Sequence, residues 1–210
     1  MSETQQPVLT MFAGINGSGK STLYALQQEK YHADMGVRIC PDEILVENEG
    51  DWSDFKDVFE SGRIAHERIE QCIAERQSFN WEFTLISNYV LKVIQKAKEE
   101  GYQIRLNFIL MDDVNVSLQR IENRVKNGGH GIPEDVVRSR FARQLINMDT
   151  ALPLIDMGVF FDNDDCLRVV GLSTRNQTLE FFDKDTEITR NLLRIAKESA
   201  NAPSTIKGTT

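Results

Sequence analysis

Val8-Leu-Thr-Met-Phe-Ala13, followed at once by Gly14-Ile-Asn-Gly-Ser-Gly-Lys-Ser21, is the stretch whose reading decides the fold. The first run is short and mostly apolar, as a buried strand requires, and Gly14 stops it. From Lys20 to Lys30 the apolar residues recur at helical spacing. The eight residues from Gly14 to Ser21 fit G-x-x-x-x-G-K-[S/T] completely and lie between the predicted strand and helix, which is where phosphate binding needs them. Glycines let the backbone curl so that its N–H groups point inward, and the positive end of the following helix adds to them. The predicted nucleotide-binding residues are therefore Gly14, Asn16, Gly17, Ser18, Gly19, Lys20, Ser21 and Thr22. Lys20 would reach the β- and γ-phosphates of ATP, and the Ser21 hydroxyl would ligate Mg2+.

Working outward, Val37 to Cys40 is a second strand stopped by Pro41, and Ser53 can cap a long helix running to about Gln77. Phe79 to Ile86 reads as a third strand, Tyr89 to Glu100 as a helix ended by Gly101, and Gln103 to Met111 as a strongly apolar fourth strand. Asp112 or Asp113 can cap a helix to about Lys126. Gly128-Gly-His-Gly131 breaks it, and Pro133 is well placed to begin another. Strands follow at Gly158 to Asp162, Leu167 to Leu172 and Thr178 to Phe182, then a helix from about Asp185 to Glu198 and a frayed tail from Ser199. Strands separated by helices need crossovers, so the expectation is an α/β fold with a mainly parallel sheet and helices on both faces. One domain spans residues 1–200, with a helical, glycine-rich lid at roughly 120–145, a few C-terminal strands, and a disordered tail at 201–210.

Composition narrows the function classes. A net charge of −8 disfavours a nucleic-acid partner, because the phosphate backbone must be met by many cations. The N-terminus lacks the regions of a signal peptide, and no apolar run approaches the roughly 20 residues that span a bilayer, so the reading is cytoplasmic with no membrane partner. Cys40, Cys72 and Cys166 show no paired spacing and are expected to be buried, reduced thiols. His32, His66 and His130 are too scattered to suggest a metal site.

Beyond the loop, Asp42 follows the second strand, at the carboxyl edge where a second substrate would face the γ-phosphate; it could accept a proton from an attacking hydroxyl. It could equally form an Asx turn after Pro41 or cap residues 43–49. Glu82 and Thr84 alternate onto one face of the third strand, so they could address Mg2+ or a substrate hydroxyl together, or face solvent from an edge strand. Arg120, Arg124, Arg138, Arg140 and Arg143 form a local basic cluster that could stabilise a moving phosphoryl group or pair with Glu122, Glu134 and Asp135 on a solvated surface. Asp112 ends an apolar strand, as a water-mediated magnesium aspartate does, but helix capping is the commoner use of such a residue.

Taken together, Gly14 to Ser21, Pro41-Asp-Glu-Ile44, Glu82-Phe-Thr-Leu85, the run from Arg124 through Gly128-Gly-His130 to Arg138, and Phe161-Asp-Asn163 resemble the zeta-toxin family of small P-loop kinases over roughly residues 8–165. The resemblance implies a parallel-sheet core that binds ATP and Mg2+ and phosphorylates a sugar hydroxyl of UDP-N-acetylglucosamine. It implies Asp42 as the hydroxyl-activating base, Glu82 and Thr84 lining the substrate and metal site, with Glu82 beside Ser21 at the metal. Arg124 and Arg138 would contact the transferring phosphate, with Arg140 a rival for the second. It leaves room for an antitoxin protein as partner. Phe83 and Ile86 stand where a glycine and an arginine are expected, at the position where the sugar nucleotide would be recognised. The leading reading is a kinase acting on a small-molecule hydroxyl; the alternatives are a nucleoside or other metabolite kinase of the same core, and a nucleotide-binding module that transfers nothing.

Overall fold

Seven strands build one sheet in the order β2-β3-β1-β4-β5-β6-β7, in a computed structural model that describes residues 6–174, 177–182 and 185–201. The strands are β1 (Val8–Ala13), β2 (Val37–Ile39), β3 (Phe79–Phe83), β4 (Gln103–Leu110), β5 (Met157–Asp162), β6 (Arg168–Thr174) and β7 (Gln177–Phe181). All pairs from β2 to β5 are parallel, and β6 and β7 extend the sheet antiparallel. The helices are α1 (Lys20–Tyr31), α2 (Pro41–Glu47), α3 (Phe55–Ala74), α4 (Asn88–Glu99), α5 (Val114–Lys126), α6 (Glu134–Ala142), α7 (Met148–Ala151) and α8 (Glu187–Asn201). This is the mixed α/β architecture expected from alternating strand and helix patterns.

Side-chain alternation sorts the strands onto two faces. Leu9, Met11 and Ala13 of β1 join Ile69 of α3 and Val93 and Ile94 of α4 in the larger apolar core. Phe12, one residue out of phase, joins Leu23 of α1, Ile109 of β4 and Phe161 of β5 in a smaller core behind the sheet. Burying each such side chain is worth roughly 1.5–3 kcal/mol, so register is held strongly at the centre of the sheet. Asn80 and Glu82 of β3 are out of phase with Phe79 and Trp81 of the larger core, so they face the α1 side.

Several boundaries differ from the sequence reading for identifiable reasons. Asp54, not Ser53, caps α3 by accepting from the Lys56 amide, while Ser53 turns its hydroxyl to Asp51. The third strand stops at Phe83 rather than Ile86, because Ser87 caps α4 through the Val90 amide and the chain must turn before it. Pro41 begins a helix, α2, with Cys40 at the cap position and Asp42 in the first turn. Of the two aspartates after β4, Asp113 caps α5. The final helix continues to Asn201, past the expected fraying point at Ser199; residues 202–210 lie outside the described residues. Cys40 and Cys72 are buried as expected, but Cys166 is exposed in the turn between β5 and β6. Among the described residues no helix is long and apolar enough to cross a membrane.

Candidate functional site

The parallel strands end on one edge, and the loops leaving β1, β2, β3 and β5 build the site there. Gly17 and Gly19 have φ of 77° and 101°, a region that side-chain-bearing residues rarely adopt. A Cβ on Gly17 would lie 2.7 Å from the Ser117 carbonyl oxygen, and one on Gly19 would lie 2.5 Å from Asn163 Nδ2. The loop is thus pinned between α5 and the end of β5. Asn163 Nδ2 also donates to the Ser18 carbonyl at 2.7 Å, and Arg120 donates to the Gly17 carbonyl at 3.4 Å. Helix α1 starts at Lys20 with no side-chain cap, leaving its first-turn N–H groups to an anion. The Ser18 amide donates back to the Ile15 carbonyl and its hydroxyl is buried against Gly14, so this residue closes the loop from beneath.

Lys20 is buried, with Nζ donating to the Ile15 carbonyl at 3.1 Å. Burial drives its ammonium below the ordinary lysine value, against the opposite pull of Glu82 and then Asp42. Ser21 Oγ donates to Glu82 Oε1 at 2.9 Å. That brings together the two residues expected at the metal, and both offer the hard oxygen atoms that Mg2+ prefers.

Glu82 is buried, and its partner is Arg38 of β2, whose Nη2 reaches Glu82 Oε2 at 2.6 Å and Glu43 Oε1 at 2.8 Å. The guanidinium lies 3.8 Å from the centroid of the Tyr24 ring and also donates to Asn80. Burial lowers the Arg38 value, but its hydrogen bonds to Glu43 and Glu82 more than reverse this, leaving it raised. The edge-strand alternative for Glu82 is overturned, since β3 lies between β2 and β1. Cys40 Sγ, Glu43 and Glu82 also lie within 4.8 Å of one another, but Arg38 occupies both Glu43 oxygens and Glu82 Oε2 on that side, leaving Glu82 Oε1 turned to Ser21. The Cys40 thiol, pushed up to about 12 by burial and then by Glu82, stays protonated.

Asp42 is half-exposed at the mouth of the site, with Oδ2 3.7 Å from His130 Nε2. His130, from the glycine-rich loop, stacks on Trp52 with ring centroids 3.5 Å apart and planes 8° from parallel. Arg124 Nε holds this loop by donating to the His130 carbonyl at 3.0 Å, while its Nη2 is buried with no hydrogen-bond partner among the described residues. Arg140 Nη1 donates to Asn16 Oδ1 at 2.5 Å, inside the site. Arg138 does not join it. It pairs with Glu134, four residues back on α6, on an exposed helix face.

Two cavities meet here. One, of about 500 Å³, runs along the phosphate loop and is lined by Gly17, Gly19, Ser21, Thr22, Arg120 and Arg124. The other, of about 520 Å³, lies between α3, the end of β3 and the glycine-rich segment, and includes Thr84, Trp81 and Arg140. Asn16, Lys20, Asp42 and Glu82 line both. The first cavity's uncapped helix and the orphaned Arg124 Nη2 suit the triphosphate and magnesium ion of a P-loop site.

The sequence brought Lys20, Ser21, Asp42, Glu82, Thr84 and Arg124 forward, and the fold gathers them around this shared wall. Arg38, Trp52 and His130 were missed as site residues. A positive charge inside a short strand, Arg38, was the one available signal, since a buried glutamate needs a partner. Trp52 and His130 lie 78 positions apart and meet through tertiary contact alone.

The chain is similar to known proteins in sequence and in fold. A protein-family model described as zeta toxin matches residues 1–187. An uncharacterised protein of Haemophilus influenzae is 35% identical over 130 residues, covering 62% of this chain and 89% of that one. The structure resembles one solved for the PezAT chromosomal toxin–antitoxin system of Streptococcus pneumoniae, with TM-score 0.62 and 18% identity over 94% of this chain and 87% of the other. A putative kinase from Chloroflexus aurantiacus matches with TM-score 0.50 and 18% identity, covering 65% of this chain and 80% of that one.

Proposed function

The chain belongs to the zeta-toxin family and has a P-loop kinase fold, and on that premise we propose that it moves the γ-phosphate of ATP onto a hydroxyl of a small molecule. One observation carries the proposal: the phosphate-loop cavity and a second cavity share a wall made of Lys20, Asp42, Glu82 and Asn16. That arrangement suits a donor and an acceptor brought end to end, which is most of what phosphoryl transfer asks of a protein.

In this reading the amides of Gly17 to Thr22 and the Lys20 ammonium hold the β- and γ-phosphates. Ser21 Oγ and Glu82 would hold Mg2+, which supplies charge neutralisation on those phosphates. Asp42 accepts the proton of the acceptor hydroxyl, and Thr84, in the lining of the second cavity, orients the acceptor. Arg124 donates to the moving phosphoryl group through the Nη2 that has no protein partner. For the second arginine, the Arg140 contact with Asn16 favours it over Arg138, which is bound to Glu134. Residues 120–145 act as the lid, closing on Trp52 through His130.

The finer readings belong to the same proposal: a single domain over residues 1–200 and a cytoplasmic location, both read from the sequence, and, from family resemblance, a nucleotide sugar of the UDP-N-acetylglucosamine type as acceptor and an antitoxin partner of the kind named for the PezAT system. The test is to incubate the protein and ATP with a metabolite extract and identify by mass spectrometry the compound that gains a phosphate. Lys20→Ala and Asp42→Asn should each lower its formation by ~100-fold or more. ATP binding with no acceptor-dependent turnover would instead identify a nucleotide-binding module.

A further inference from the structure

Helix α3 carries a glycine that nothing in the fold asks for. Gly62 is the eighth of its 20 residues, inside the helix and in helical conformation. A glycine there disfavours the helix roughly fivefold relative to alanine, because it gives up the most backbone freedom on folding. Each of the other described glycines has a reason to be one: a positive φ, or an atom within 3.4 Å of where its Cβ would stand. Gly62 has neither, since a Cβ built on it meets nothing within 4 Å.

The open space beside it is the second cavity. Val58, Gly62, Ala65, His66 and Ile69 line that cavity from α3, and their spacing is that of one helix face. Val58 and His66 stand one turn before and one turn after the glycine, so the wall has a notch where main chain rather than a side chain meets the cavity. His66 Nδ1 is hydrogen-bonded to the Tyr89 hydroxyl, which ties its ring to α4 instead of leaving it free to fill the gap. Asp42 and Thr84 line the same cavity. We propose that Gly62 is a specificity-determining residue: the acceptor, with its hydroxyl at Asp42, lays its body in the notch and packs on the α3 backbone, so that the missing Cβ decides which acceptors fit. That packing rests on the kinase reading for its chemistry but is itself a binding event, measurable without turnover.

Gly62→Ala separates the two roles a helix glycine can have, because its effects on stability and on acceptor binding should have opposite signs. Alanine should raise the urea midpoint by about 0.4 M, given the usual urea dependence of a chain this size. Binding is read by calorimetry with UDP-N-acetylglucosamine on protein saturated with a non-hydrolysable ATP analogue and magnesium. Transfer is read by mass spectrometry as the phosphorylated compound formed from ATP and a metabolite extract. One misplaced methyl in a fitted pocket costs about tenfold or more, so Gly62→Ala should weaken both readouts ~10-fold and Gly62→Leu ~100-fold. Affinity for the ATP analogue should stay within roughly twofold of the parent, since Gly62 does not line the phosphate-loop cavity. A more stable alanine variant with undiminished binding and transfer would overturn the proposal, and so would a lowered urea midpoint, which would assign the glycine to the fold. Binding that falls in the expected order with no transfer to any compound would sink the kinase reading and uphold the role of Gly62. Where UDP-N-acetylglucosamine does not bind, the yield of the compound phosphorylated from the extract decides by the same order. A parent chain that neither binds nor transfers would overturn both.

Discussion

Replacing Arg38 by methionine tests the buried network beneath the phosphate loop. Methionine keeps most of the apolar stem and removes the charge, leaving Glu82 with Ser21 Oγ as its remaining hydrogen-bond partner. The two side chains are 14% and 8% exposed, so neither is well hydrated. Removing one member of a buried ion pair costs about 3–5 kcal/mol, because the other charge is left unpaired. The lost contact with the Tyr24 ring falls within that range, and Glu43, nearly half exposed, returns to water at little cost. For a chain of this size such a loss lowers the melting temperature on the order of 10 °C. Urea unfolding followed by tryptophan fluorescence gives the number directly, since Trp81 adjoins Glu82 in β3. The second arm adds Glu82→Gln to Arg38→Met. Neutralising the stranded carboxylate should restore more than half of the lost stability. A loss below about 1 kcal/mol, or a double variant no more stable than the single one, would refute the argument that Arg38 exists to neutralise Glu82.

Two further outcomes are expected. Arg140→Ala should lower kcat ~100-fold or more with ATP affinity little changed, while Arg138→Ala stays within roughly threefold of the parent; steady-state kinetics on the identified acceptor reads both, and the reverse order would return the role to Arg138. Burial first, and then Arg124, holds His130 below the ordinary histidine value of 6.5, with Asp42 pulling the other way. The unfolded chain therefore takes up this proton at higher pH than the folded one, so the stability it contributes is present above about pH 6.5 and is lost as the pH falls below it. Hydrogen-exchange protection of residues 128–132, taken relative to the intrinsic exchange rate at each pH, should fall as the pH drops through that window in the parent chain and stay level in His130→Asn.

Much of the fold was legible because its signals are local. An apolar run of six residues, a glycine loop and a helical repeat follow one another within Val8 to Tyr31, and each is fixed by backbone sterics or burial that a short window contains. The same holds for Gly101, whose φ of 80° marks the chain leaving α4, and for Asp113 capping α5. Where the reading slipped, neighbouring signals competed: Asp54 outdid Ser53 as a cap, and the turn into the helix capped by Ser87 took residues 84–86, which were given to strand.

The sequence by itself determined that a phosphate would be gripped after the first strand, because that grip is made by consecutive backbone amides and one lysine. It also placed Asp42 just past the second strand, where parallel sheets expose their substrates, and Glu82 and Thr84 on one face of the third strand. Tertiary structure alone decided that Arg38 neutralises Glu82, that Trp52 receives His130, and that Arg140 rather than Arg138 enters the site. Those choices depend on strand order, on a helix's rotation and on the path of a glycine loop, and each of these is set by packing among residues far apart in the chain.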